Sequence, residues 1–116
     1  MKKILLFLLI FYGCSKDSTS PPININQNTI TTSSYNFVPS TVYCNVGDTI
    51  HFELGISHNA IEVSEQDYIS GTDNPINNGF YFGLGQDTFI VFSQAKTHYY
   101  VCAPHLPSMK GTIIVQ

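Results

Sequence analysis

The stretch that decides the fold is THYYVCAPHLPSMKG, residues 97–111. Its first part alternates and is rich in threonine, tyrosine and valine, which predicts a strand that ends on a cysteine. A short loop with two prolines follows, and a second strand is predicted to begin after it. This one loop therefore carries a thiol, an imidazole and a thioether, at Cys102, His105 and Met109.

A thiolate, an imidazole nitrogen and a weak thioether are ligands of a blue-copper site, which also needs a second histidine. The chain offers one at His58, in the sequence ISHNA between two alternating runs. Because Cys102 ends a strand, its side chain can point between two sheets, and His105 can turn back to the same point. A loop at the same end of the molecule must then supply the fourth ligand. The sequence therefore predicts a copper ligand set of His58, Cys102, His105 and Met109.

The rest of the chain is a series of short alternating runs separated by glycine, asparagine and proline. No run has sustained helical periodicity, and the low charge with many Thr, Val, Ile, Phe and Tyr residues favours an all-β domain. About seven or eight such strands predict a Greek-key β-sandwich. The predicted runs are residues 41–46, 49–54, 59–63, 80–84, 88–93, 97–102 and 112–115.

A Gly-Asp turn separates the runs 41–46 and 49–54. Alternation on both sides of a glycine-containing turn predicts antiparallel pairing of the two runs, with Val46 among the inward-facing side chains. The segment 65–78 is rich in Gly, Asp, Asn and Ser, which predicts a long loop with at most one turn of helix.

Strand parity predicts which side chains face the core. His98 shares the parity of Cys102, so it is predicted to be a hydrogen-bonded core residue, and Val101 is predicted to face outward. His51 and Glu53 alternate with the apolar residues of their run. We expect both to face solvent.

The first 13 residues, MKKILLFLLIFYG, combine two lysines with an apolar run that is too short to span a bilayer. This pattern predicts a secretory signal, residues 1–13. Cys14 follows at once, which resembles a bacterial lipoprotein signal that is cleaved before a lipidated cysteine. A plain signal peptide or an uncleaved anchor is the alternative. We expect an exported protein of the periplasm or cell envelope that is held to a bacterial membrane by its lipid.

Residues 14–34 are polar and contain few large apolar side chains. Such a segment cannot bury enough surface to order itself, so it is predicted to be a tether, with room for one short strand. The folded domain is predicted to span residues 35–116.

The chain has three cysteines, so at least one of them cannot form a disulfide within the chain. Lipidation of Cys14 would account for this odd cysteine. Cys44 and Cys102 could then form a disulfide in an oxidising compartment. The alternative is copper ligation by Cys102 with Cys44 as a buried free thiol, and the ligand spacing favours it.

Cleavage after residue 13 leaves three lysines, no arginine and eight acidic side chains, which is a net charge of −5. Such a surface is poorly suited to a phosphate backbone, so we do not expect nucleic acid as a partner.

Five short motifs resemble those of small type 1 copper proteins, the cupredoxins of the plastocyanin and pseudoazurin kind. The resemblance spans residues 35–116, and the spacing between His105 and Met109 lies between those of plastocyanin-like and amicyanin-like loops. Such a difference in loop length affects the axial ligand distance and the reduction potential. The motifs are FVPS at 37–40, VGDTI at 46–50, SHN at 57–59, YVCAPH at 100–105 and MKG at 109–111.

The resemblance implies a monomeric electron carrier with one type 1 copper, which meets its redox donor and acceptor transiently and is not an enzyme. It also implies that Asn59 links the two ligand loops by backbone hydrogen bonds. Pro104 has no N–H, so it withholds one donor from the thiolate and stiffens the loop.

The exposed edge of His105 is predicted to be the electron exit. An apolar docking patch is predicted to surround it, formed by Leu106 and Pro107 with Gly55, Ile56 and Tyr35 across the gap. Two alternatives to electron transfer stay open: copper binding for delivery or storage, and a metal-free exported sandwich that binds other proteins.

Overall fold

Nine short strands and one helix make up residues 28–116, the part of the chain that the computed structural model describes. The predicted signal sequence, residues 1–13, and the predicted lipidation site at Cys14 lie outside the described residues. The strands are β1 (Thr29–Ser33), β2 (Asn36–Val38), β3 (Thr41–Cys44), β4 (Thr49–Glu53), β5 (Ala60–Val63), β6 (Tyr81–Phe82), β7 (Asp87–Val91), β8 (Thr97–Val101) and β9 (Lys110–Val115), and helix α1 is Glu65–Ser70.

The strands form two sheets. One has the order β2-β1-β4-β7 and the other β3-β9-β8-β5-β6. The pairs β1–β4 and β3–β9 are parallel, and the remaining pairs are antiparallel. The predicted all-β sandwich is confirmed, and the strands additional to the seven predicted runs are β1 and β2.

Strand β1 lies upstream of residue 35, so the predicted start of the folded domain is too late. It pairs with both β2 and β4, and its Ile30 is fully buried. The sequence TITTS conceals this strand because Ile30 is its only large apolar residue. Pairing on both sides, together with one deeply buried side chain, adds to the strand propensity of isoleucine and threonine and orders this segment.

The predicted antiparallel pairing of runs 41–46 and 49–54 is wrong. The first run forms β3, which pairs with β9, whereas the second forms β4 in the other sheet. Alternation shows that each run has one buried face, but both sheets of a sandwich face the same core. The turn therefore connects two sheets, and Val46 within it is exposed rather than inward-facing.

The core between the sheets is centred on the ring of Tyr100, which is fully buried. Its centroid lies 4.7 Å from that of Phe37, 5.5 Å from Phe52 and 5.8 Å from Phe80. The Tyr100 hydroxyl is buried and has no hydrogen-bond partner among the described residues. A desolvated hydroxyl without a partner destabilises the folded state.

Replacing Tyr100 by phenylalanine is therefore expected to increase the free energy of unfolding by about 1 kcal/mol, because the unpaired hydroxyl no longer has to be desolvated. Thermal unfolding checks this, with Tyr43→Phe as the control, because Tyr43 is exposed and should not respond. A lower melting temperature for Tyr100→Phe would show that the hydroxyl makes a stabilising contact.

A buried hydrogen-bonded pair, His98 and Glu62, lies beside this core. Nδ1 of His98 is 2.5 Å from Oε1 of Glu62, and Oε2 of Glu62 accepts a hydrogen bond from the Phe80 N–H at 3.0 Å. Burial favours a raised pKa for Glu62, but the hydrogen bonds from His98 and Phe80 outweigh it and hold the pKa below its usual value. His98 is thus buried and hydrogen-bonded, as the sequence predicts.

Helix α1 covers the outer face of the five-stranded sheet. The Ser64 hydroxyl caps it by accepting from the Asp67 N–H at 3.0 Å, and Gly71 ends it in the left-handed conformation. Val101 lies on this outer face, as predicted, yet it is fully buried because it packs in the cluster that includes Tyr68 of the helix. Among residues 28–116, no helix has the length and apolar character needed to cross a membrane.

Candidate metal centre

Two neighbouring strands bring the predicted ligands to one end of the sandwich. β5 and β8 pair antiparallel, with Ile61 opposite Val101, so the start of β5 and the end of β8 lie at the same edge. His58 comes just before β5, and Cys102 comes just after β8. The chain then makes a single 3-10 turn over Ala103–His105, which returns the second imidazole to the same edge.

Three donor atoms meet there. His58 Nδ1 lies 3.1 Å from His105 Nδ1, and Cys102 Sγ lies 3.8 Å from His58 Nδ1 and 3.4 Å from His105 Nδ1. A point about 2 Å from all three atoms lies inside this triangle, and nitrogen and sulfur ligands bind metals such as zinc at about 2.0–2.3 Å. The two imidazoles and the thiol therefore fit one metal ion.

Met109 closes the ligand loop. Its N–H donates to the His105 carbonyl at 3.1 Å, and its carbonyl accepts from the Cys102 N–H at 3.0 Å. The side chain is fully buried in the same core cluster as Cys102. These backbone bonds hold the thioether residue beside the thiol residue.

The surroundings favour the neutral forms of two ligands, the Cys102 thiol and the His58 imidazole, when no metal is bound. Burial raises the pKa of the Cys102 thiol, and the N–H groups of Asn59 and His105 offset this only in part. Burial also lowers the pKa of His58, and the nearby His105 ring lowers it further. The imidazole therefore stays neutral with a lone pair to offer, and a metal ion would replace the proton of the thiol.

Asn59 and Pro104 lie next to the ligands. The Asn59 side-chain oxygen accepts a hydrogen bond from the Ala103 N–H at 2.9 Å, so the two ligand loops are linked through this amide. Pro104 is the second residue of the 3-10 turn that follows Cys102, where its missing N–H leaves no unused donor.

Two residues support His58 in a way that the sequence does not predict, Thr32 and Gly55. The Gly55 N–H donates to the Thr32 hydroxyl at 2.9 Å, and the Gly55 carbonyl accepts from the His58 N–H at 2.9 Å. A Cβ on Gly55 would lie 2.9 Å from that hydroxyl oxygen and 3.1 Å from the His58 ring. Thr32 belongs to β1, so this support becomes visible only once β1 is known to form.

The proposed exit, His105, is half-buried and lies beside an aromatic side chain. The centroids of its ring and the Tyr35 ring are 4.7 Å apart, and Tyr35 is largely exposed. Ile56 is 90 % exposed, and Pro107 is also exposed. Leu106 is partly buried against the cluster under α1.

Cys44 and Cys102 are both free and buried. Cys44 ends β3, which is separated from β8 by β9. The alternative disulfide between them is therefore not formed, and the Cys102 thiol is available to a metal.

Comparisons with known proteins agree with this geometry. A family model described as copper binding proteins, plastocyanin/azurin family, matches residues 25–116. A comparison with curated proteins finds no match.

Several solved structures share the fold. A reduced amicyanin variant is 22 % identical, with a TM-score of 0.55 and coverage of 76 % of this chain and 80 % of its own. Pseudoazurin from Methylobacterium extorquens AM1 is 21 % identical, with a TM-score of 0.59 and coverage of 75 % and 72 %. A copper-containing nitrite reductase from Thermus scotoductus SA-01 is 24 % identical with a TM-score of 0.55, and the match covers 76 % of this chain but only 22 % of the reductase.

Proposed function

Because the chain belongs to the plastocyanin/azurin family of copper-binding proteins, and copper is its cofactor, we propose that it carries single electrons between redox partners outside the cytoplasm. One observation carries this proposal: two imidazole nitrogens and one thiol sulfur surround a single point, with the sulfur fully buried and one imidazole half-buried. No bond of a substrate is made or broken in this role.

Bound copper supplies the chemistry by alternating between Cu(II) and Cu(I). The chain's contribution is to hold the ligands still, since a fixed ligand geometry leaves little to rearrange when the charge changes. Cys102 and Met109 are fully buried in the core, and the hydrogen bond from the Ala103 N–H to Asn59 connects the His58 loop with the Cys102 loop. Rigid ligand loops suit electron transfer better than metal exchange.

Redox cycling of the full chain tests the function. Copper-loaded protein is reduced with ascorbate and reoxidised with ferricyanide in the presence of a Cu(I) chelator. We expect the visible absorption to disappear and return over repeated cycles, with copper retained throughout. Loss of copper to the chelator on reduction would instead favour the alternative of copper delivery or storage.

We assign Met109 as the weak axial ligand. Replacing it by leucine is expected to raise the reduction potential, because the thioether is a donor and its removal destabilises Cu(II) more than Cu(I). A redox titration measures the shift. Ile113→Val serves as the control, because Ile113 is also a buried core residue and lies in β9, the strand that follows Met109. An unchanged potential in Met109→Leu would remove Met109 from the ligand set.

We further propose that partners dock on a patch formed by Tyr35, Ile56, Leu106 and Pro107 around His105. Three of these side chains are exposed, and an exposed patch of apolar side chains is typical of a protein–protein interaction site. Small interfaces of this kind suit transient redox encounters, in which a carrier must bind and leave quickly.

Replacing Ile56 by glutamate is expected to slow electron transfer to the partner protein by about tenfold, since a charge at the centre of an apolar contact must be desolvated. Ile56 is 90 % exposed, so folding should be unaffected. Stopped-flow kinetics measure the rate, with Val91→Glu as the control at the opposite end of β7 from the copper loops. Equal rates for Ile56→Glu and the parent would place the docking surface elsewhere.

We also propose that the chain is exported and anchored through a lipid on Cys14, which fits a basic and apolar leader followed directly by cysteine. This places the carrier at a bacterial membrane, in the periplasm or cell envelope, where redox proteins of the membrane and of the surrounding space can both reach it.

A further inference from the structure

A second group of metal-ligating side chains lies on the outer face of the four-stranded sheet. Glu53 of β4 faces Asp87 of β7 directly, and His51 lies two residues before Glu53 on the same face. Nε2 of His51 is 2.5 Å from Oδ1 of Asp87, and Nδ1 is 3.3 Å from Oε1 of Glu53. The His51 side chain is 19 % exposed and stacks on the Phe89 ring at 4.2 Å.

The hydrogen-bonding capacities of this trio do not match. A carboxylate only accepts hydrogen bonds, and a neutral imidazole has one N–H to donate. Both nitrogens of His51 face carboxylate oxygens, so one of the two contacts pairs a lone pair with a negative oxygen. That contact is favourable only when a cation lies between the imidazole nitrogen and the carboxylate oxygen. The cation is either an additional proton or a metal ion.

The charges are equally unmatched. Like charges placed directly opposite each other on two antiparallel strands are destabilising, and Glu53 and Asp87 are such a pair. The described residues contain two lysines and no arginine. The Lys110 ammonium donates to the Tyr68 carbonyl, and Lys96 lies beside Glu62. Neither lysine is engaged with the trio.

We propose that His51, Glu53 and Asp87 bind a divalent first-row metal ion such as Zn²⁺. Their donor atoms all lie within 4.8 Å of one another, and one imidazole nitrogen with two carboxylate oxygens is a ligand set that zinc accepts, with water in the fourth position. The Phe89 ring restricts the imidazole, which lowers the entropy lost on binding. The site is separate from the copper loops and does not rest on the proposed electron transfer.

Such an ion would add a further link between two strands that are already joined by their ladder of hydrogen bonds and by the contacts of His51 with Asp87 and Phe89. β7 is the edge strand of its sheet, and the ion would tie its first residue, Asp87, to the end of β4. Binding to the folded state alone raises its stability, so zinc should raise the melting temperature as well as bind.

Calorimetric titration of the copper-loaded full chain with zinc chloride tests the proposal. We expect one saturable equivalent of zinc, and at least tenfold weaker binding in Glu53→Gln and in Asp87→Asn. Asp73→Asn, which neutralises an exposed carboxylate outside the trio, should bind zinc as the parent does. The copper absorption is recorded throughout, because it must stay constant if zinc binds elsewhere.

Circular dichroism of each variant confirms that it is folded, and these surface changes should not prevent folding. The proposal is overturned if zinc does not saturate at one equivalent, if Asp87→Asn binds as tightly as the parent, or if zinc uptake is matched by loss of the copper absorption. The melting temperature gives an independent readout: zinc should raise that of the parent and leave that of Asp87→Asn unchanged.

Discussion

Copper-loaded protein in which Cys102 is replaced by serine is expected to lose its intense visible absorption completely. That colour arises from charge transfer between a thiolate and Cu(II), and Cys102 supplies the only sulfur within the triangle of donor atoms. A serine hydroxyl does not ionise in the way that a thiol bound to metal does, so it cannot replace the thiolate. Visible and paramagnetic-resonance spectra of the variant measure the effect.

The chain contains its own matched control for this experiment. Cys44 is a second free and buried cysteine, and it lies in β3, outside the ligand loops. Cys44→Ser is the same chemical change at a comparable burial, and it should keep the colour. A blue Cys102→Ser protein, or a colourless Cys44→Ser protein, would contradict the assignment of the thiolate ligand.

Gly111→Ala is expected to reduce the free energy of unfolding by about 3 kcal/mol, at the upper end of what overpacking a core costs. Gly111 lies directly opposite Tyr100 on the neighbouring strand. A Cβ there would be 2.2 Å from the Cζ atom of the Tyr100 ring. That ring cannot move aside freely, because Phe37, Phe52 and Phe80 surround it.

Thermal unfolding measures this loss, which corresponds to a melting temperature lower by more than about 10 °C in a domain of this size. Gly83→Ala is the control, since the nearest atom to its new Cβ would be 3.9 Å away. Equal melting temperatures for Gly111→Ala and the parent would show that the central ring has room to shift.

The sandwich and its metal centre could be predicted because their signals are local. Alternation marks a strand wherever one face is buried, and the spacing of Cys102, His105 and Met109 within one loop requires no knowledge of the sheets. His58 could be added because a copper site lacks only a second imidazole once the loop is recognised. The structure brings His58, Cys102 and His105 within bonding range of one ion.

Which strands pair depends on the whole chain, and the strand pairing could not be predicted from the separate runs. The runs 41–46 and 49–54 each have an apolar face, and nothing in either run says that the turn between them changes sheets. Strand β1 contains one large apolar residue, Ile30, and it is ordered mainly by its two neighbours. Thr32 could not be connected with the His58 loop until that strand was in place.

Burial of Val101 shows a related limit. The alternation of side chains along β8 places Val101 on the outer face of the sheet correctly. Alternation cannot show what covers that face. A six-residue helix with a serine cap does so here, and its short sequence carries too few turns to show helical periodicity.

The direction of β1 has a practical consequence for mounting this protein on an electrode. β1 runs parallel to β4, toward the ligand loops, and the turn that follows it places Tyr35 against His105. Its first residue, Thr29, therefore lies at the other end of the strand, about 13 Å from Ser33 at roughly 3.3 Å per residue of extended chain. Fixing the domain to gold through a thiol introduced at Thr29 would leave the half-buried imidazole directed toward solution, whereas a thiol introduced at Ile56 would turn it toward the gold surface and shorten the tunnelling distance.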